Sequence, residues 1–186
     1  MLVAAKHGQS PIDIQKRVGI GGGQPAATIG SADAFDISDD GSLIWLTDPS
    51  LTASVVKTLS TPTNQEALGI QEIFALQSLA DKFNVPGSGP GDDPRTPDII
   101  LKVNTGVIFT GGSKIAEHGG LNEDDVHTAL LVSLPGINEQ TVKAATSNQQ
   151  VAPTILKALG IDPNQLQAVR QEQIKALPFL FTDNHD

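Results

Sequence analysis

Four histidines, at positions 7, 118, 127 and 185, are the side chains best suited to hold a metal or move a proton near neutral pH. Two of them share a setting. His7 stands in "AKHGQ", directly after an apolar run, and His118 in "AEHGG", ahead of the acidic turn "LNEDDVH" and the apolar run "TALLVS". In α/β sheets, ligand sites gather beyond the carboxyl ends of strands, and a glycine after the histidine lets the backbone turn sharply beside a metal or phosphate. The chain has no cysteine, so any metal must be held by His, Asp or Glu. Asp124 and Asp125 either orient an imidazole by hydrogen bonding or form a solvated turn, and Glu117, directly before His118, has the same two readings. His127 reads as a hydrogen-bonded structural residue, and His185 lies in the tail "TDNHD", where fraying is expected.

Other motifs carry less. "GIGGGQ" lacks the G-x-G-x-x-G spacing of a dinucleotide loop and reads as a flexible segment. The serines of "GQSPID" and "GGSKI" do not sit in a nucleophile elbow, so no Ser-His triad is assigned. Trp45 lies inside a strand pattern, where packing is its expected role.

The elements that must position these residues follow from hydrophobic spacing. Leu2 to Ala5 reads as the end of a buried strand, and "SLIWLTD" (Ser42 to Asp48) as a second strand. "SLTASVVKTLS" places Leu51, Val55, Val56 and Leu59 on one helical face, with Ser50 as N-cap and an end before Pro62. Gly69 to Leu76 reads as a strand, and "DIILKV" with "GVIFTGG" as a β pair around Asn104-Thr105-Gly106. "TALLVSLPG" (Thr128 to Gly136) is the strongest buried-strand signal. "QVAPTILKALGI" predicts a helix with Val151, Ile155, Leu156 and Leu159 on its inner face and Gly160 just past its end. "NQLQAVRQEQIKALP" predicts a last amphipathic helix. Residues 19–32 form a flexible Gly-rich segment, and 85–97 a Pro/Gly loop. Strands alternating with helices argue an α/β layered sheet within one domain spanning 1–186.

At 186 residues and 39% hydrophobic content the chain can bury a core. Its formal net charge of -9 repels a phosphate backbone, so nucleic acid is not expected as a partner. No apolar run approaches the roughly 20 residues that span a bilayer, and Met1 to Ala5 is too short for a signal peptide's apolar region. The compartment stays open, an extracytoplasmic one being compatible with a full-length parent.

Four stretches, in order, carry a resemblance: "AAKHGQSPID", "SDDGSLIWLTD", "RTPDIILKVNTGVIFTGGSKIAEHGGLNEDDVHTALLVSLPG" and "QVAPTILKALGIDPNQLQAVR". They resemble the carboxyl-terminal part of the type I phosphodiesterase/nucleotide pyrophosphatase branch of the alkaline phosphatase superfamily. The resemblance implies a layered α/β/α sheet and a metal-dependent phosphoric-ester hydrolase with two zinc ions beside a Ser or Thr nucleophile. It implies metal-ligand roles for His7 and His118, with Glu117, Asp124 and Asp125 as candidates to orient them. It also implies a small-molecule phosphate ester as substrate and a nucleophile in an amino-terminal half that nothing here matches. Lys6 stands where many family members carry a metal-binding aspartate. The rival expectation is a non-catalytic remnant, a folded metal-binding or self-associating module that forms a homo-oligomer through an exposed sheet edge.

Overall fold

The computed structural model describes residues 1–11, 13–83 and 93–181. The chain is a mixed α/β protein that divides into two compact units, His7–Thr128, and Met1–Lys6 together with the chain from Ala129 onward. The site residues lie in the first of these.

That unit is built on a four-stranded antiparallel sheet of order β3-β4-β6-β5, where β3 is Asp33–Ser38, β4 Gly41–Leu46, β5 Ile70–Ala75 and β6 Ile99–Val103. The alternation in "GSLIWL" explains β4: Ser42, Ile44 and Leu46 are buried on one face while Leu43 and Trp45 are half-buried on the other. The first face packs Ile44, Leu46, Ile99, Leu101 and Val103 against Val55 and Leu59 of α2 (Thr52–Leu59) and Leu68 of α3 (Pro62–Leu68). The opposite face holds a smaller cluster of Phe74, Ile100 and Leu79, the last from α4 (Leu76–Phe83), with Leu43, Phe83 and Leu121 around it. A register shift between Ile70 and Glu72 lets Ile70 and Ile73 share the first cluster although they are three apart.

Several sequence expectations are met in this unit. The strand over Ser42 to Asp48 is found as Gly41–Leu46, that over Gly69 to Leu76 as Ile70–Ala75, and the helix before Pro62 as α2. Ser50 does not cap that helix. Asp48 instead accepts a 2.8 Å bond from the Ser50 N–H at the head of a 3-10 turn, Pro49–Leu51, which leads into α2. The segment 19–32, expected to be flexible, carries the end of β2 (Val18–Ile20) and a short helix, α1 (Gln24–Ile29), with Pro25 in its first turn. The expected pairing around Asn104-Thr105-Gly106 is also corrected. β6 lies between β4 and β5, while β7 (Val107–Phe109) pairs in parallel with β2. Both strands are almost wholly apolar, so their sequences cannot say which neighbour each takes. Of the expected loop 85–97, residues 85–92 lie outside the described residues.

The other unit pairs β1 (Leu2–Ala4) antiparallel with β8 (Leu130–Val132) and adds α6 (Val151–Ala158) and α7 (Gln167–Glu172); between β7 and β8 the chain forms α5 (Glu123–Val126) of the first unit. Two strand expectations fail on burial. Val3 is 52% and Leu131 59% exposed, because each strand has one strand neighbour among the described residues and the ribbon's face is not covered. The helix at 151 forms, and Gly160 follows it at φ +71° as expected, but the helix buries Pro153 and Thr154 while Ile155 and Leu159 face outward. Thr154 turns the helix this way: its hydroxyl donates to Gln150 O at 2.6 Å and accepts from Leu177 N at 2.8 Å. The last helix is shorter than its apolar spacing predicts and stops at Gln173, which is left-handed at φ +53°. Among the described residues no helix is long and apolar enough to cross a membrane.

Candidate functional site

His7 and His118, 111 positions apart, come together as a stacked pair with ring centroids 4.1 Å apart and planes at 19°. Backbone pairing of their loops puts them there. Ser10 N donates to Glu117 O at 2.8 Å, and Glu117 N donates back to Ser10 O at 2.7 Å, a two-bond antiparallel bridge that ties "HGQS" to "AEHG". Gly8 N donates to Asp125 O at 2.7 Å, fastening the first loop to the short α5 as well.

Both loops need their glycines for close approach rather than for flexibility. A Cβ on Gly8 would stand 1.8 Å from Asp124 O, and one on Gly120 would stand 2.6 Å from Asp40 O. In each case the obstacle is backbone, which cannot swing aside. The residue pattern His-Gly at 7 and His-Gly-Gly at 118 is therefore a packing requirement as well as a turn.

The Nδ1 of His7 lies 2.7 Å from Gly8 O. A carbonyl only accepts, so Nδ1 carries a proton, and in the neutral imidazole Nε2 is then the atom with the lone pair, the tautomer a metal takes. His118 is solvent-exposed. These two imidazoles are the nitrogen donors of the site. Among the described residues, no group of three or more His, Asp or Glu converges to hold a metal ion, so the pair supplies two of the about four ligands that zinc requires.

Of the carboxylates expected to orient the imidazoles, Glu117 pairs with Lys114 and Asp125 is buried beside Asp40. Glu117 is buried, and its carboxylate takes the ammonium of Lys114, whose pKa is raised by that hydrogen bond and charge. Asp124 supplies the carbonyl against which Gly8 packs. Asp125 is not in a solvated turn. It is 3% exposed and faces Asp40, which is fully buried in the turn between β3 and β4. Neither carboxyl group has a hydrogen-bond donor of good geometry on its oxygens. Burial pushes the Asp40 carboxyl up to about 8, helped by the adjacent Asp125 carboxyl group and only partly opposed by the nearby N–H groups of Asp40 and Gly120.

Asp40 was invisible to motif reading, although "SDDG" is a turn signature that ends beside a buried strand. His127 is exposed, with Nδ1 3.5 Å from Glu123, an i,i+4 surface pair rather than a buried structural contact. His185 lies outside the described residues. Compared with known proteins, the chain matches no family model, no curated protein and no solved structure.

Proposed function

We propose that the chain contributes to a metal-dependent phosphoric-ester hydrolase of the phosphodiesterase/nucleotide pyrophosphatase kind, with His7 and His118 as metal ligands. The observation that carries this reading is the stacked imidazole pair, in which two "HG" loops from distant parts of the sequence converge. His7 fits the role chemically, because its Nδ1–H bond to Gly8 O leaves Nε2 as the donor atom. Zinc bound there would supply charge stabilisation for the attacking and leaving oxygens of a phosphate ester, and a second metal would share that task. The chain's own residues hold the loops: the Ser10–Glu117 bridge ties one to the other, and the Gly8 N–H bond to Asp125 O fastens the first to α5. Among the described residues the donor set is incomplete, and the remaining ligands and the nucleophile are part of the same proposal. The layered α/β/α sheet is likewise proposed. It is supported by the resemblance in sequence, whereas the four-stranded sheet described here is antiparallel.

A second reading is favoured by the outward-facing Val3 and Leu131 of the β1–β8 ribbon. It makes the chain a non-catalytic, self-associating module pairing through that sheet edge.

Zinc titration by calorimetry on the 186-residue chain, with His7→Ala and His118→Ala in parallel, separates the two. Saturable binding lost in both variants is the expected result, followed by zinc-dependent cleavage of bis(4-nitrophenyl) phosphate once the missing ligands are supplied. Binding that is equal in all three proteins would remove the metal reading and leave the self-associating module in its place.

A further inference from the structure

The second unit carries a groove of about 640 Å³, lined by the end of α6, by α7 and by the chain that follows α7. Its size falls within the range of about 300–1,000 Å³ that holds small organic ligands. Most of the lining is apolar: Val169 and Leu177 are buried, Phe181 is half-buried and Phe179 is 69% exposed.

The charges on this lining all have one sign. Lys157, Arg170 and Lys175 are its charged residues, in a chain whose formal net charge is -9. The groove is therefore positive whatever the order of these residues along it. Asp162 and Glu172, the acidic residues between 157 and 181, do not line it; Asp162 accepts from Asn164 N at 2.9 Å and Glu172 from Gln149 Nε2 at 3.3 Å.

Two of the cations are placed by other residues of the same lining. A guanidinium N–H of Arg170 donates to Asn164 O at 2.7 Å, a bond that takes only part of its fork of donors. The Lys157 ammonium stands 4.9 Å from the centre of the Phe181 ring. Phe179, in turn, is held in the left-handed region at φ +65°, which is uncommon for a bulky residue and is concentrated at ligand-binding sites.

We propose that this groove binds a small organic anion, an oxyanion head on a compact apolar body. The cations attract the head and the apolar lining covers the body. A bare inorganic anion would leave the apolar lining wet, and an uncharged ring would forgo the attraction of the cations. The proposal does not rest on the metal reading of His7 and His118, which belong to the other unit.

The probe is naphthalene-2-carboxylate, titrated into the isotope-labelled 186-residue chain and followed by NMR amide shifts. Its uncharged counterpart is 2-naphthalenemethanol, and inorganic phosphate is the anion without an apolar body. We expect saturable shifts centred on residues 157–181, with the alcohol at least about fivefold weaker and phosphate at least about tenfold weaker. Arg170→Gln and Lys175→Gln, both at exposed positions, should each weaken the carboxylate about two- to fivefold, the effect of losing one exposed ion pair. Lys175→Gln keeps the test valid should loss of the Arg170 bond to Asn164 disturb α7. Equal binding of the alcohol and the carboxylate would reduce the site to apolar adsorption and overturn the proposal. So would phosphate matching the carboxylate, both glutamine variants binding as tightly as the parent chain, or shifts centred on the two histidines.

Discussion

The strands "IILKV" and "LLV" are both rich in apolar residues and meet opposite fates. In β6, Leu101 is 1% exposed, with β4 on one edge, β5 on the other and α2 over its face. In β8, Leu131 is more than half exposed, with β1 on one edge. The same contrast runs through the helices, since α2 turns Val55 and Leu59 inward while α6 turns Ile155 and Leu159 outward. Apolar character is a demand for a neighbour, and burial follows only where the fold provides one.

Substitution of the two leucines tests this contrast most strongly. Leu101→Ala should cost about 2–5 kcal/mol by loss of buried surface and creation of a cavity, whereas Leu131→Ala should stay within about 0.5 kcal/mol. Urea unfolding of both variants measures the difference, and equal costs would mean that the ribbon is buried in solution.

The next contrast lies within the first unit, between glycines that are pressed on and glycines that are not. Gly120→Ala should destabilise by about 1–3 kcal/mol, because its Cβ meets the Asp40 backbone and carboxyl group. Gly112→Ala, with nothing within 4 Å, should be nearly neutral or slightly stabilising. Thermal melting of the pair checks this, and a neutral Gly120→Ala would show that the HGG loop is not seated on Asp40.

The smallest effect per step is a pH slope. Asp40 keeps its proton to about pH 8 when folded and loses it near pH 4 when unfolded, so between these values the folded state binds more protons. Its contribution is fully present below about pH 4 and is lost as pH rises toward 8. The one-proton limit is a fall of about 1.4 kcal/mol per pH unit. Asp40→Asn, whose amide can donate to Asp125, should flatten the slope between pH 5 and 8 in a series of urea titrations. An unchanged slope would mean that Asp40 does not hold its proton in the folded state over this range.

Much of the first unit was legible because its signals are local. The alternation of "SLIWLTD" and the spacing of Val55 and Leu59 specify a face as well as an element. The helix α3 has equally local signals: Thr61 caps it, accepting from Asn64 N at 3.4 Å, Pro62 opens it and Gly69 ends it at φ +61°. Of the site, the two histidines and the need for glycine beside them could be taken from "KHGQ" and "EHGG". The partners of Glu117 and Asp125 could not, because Lys114 and the buried Asp40 are chosen by how loops pack, and no spacing in the sequence encodes that.

By itself the sequence determined the mixed α/β character, the positions of most strands and of helices α2 and α6, and the two His-Gly loops, since each depends on contacts within a few residues. Only the tertiary structure decided that β7 joins β2 rather than β6, that His7 and His118 stack, that Asp40 and Asp125 are buried against each other, and that α6 shows Leu159 to solvent. Each of those outcomes joins residues distant in the chain or sets which face is covered, and an apolar or acidic side chain carries no record of the partner it will meet.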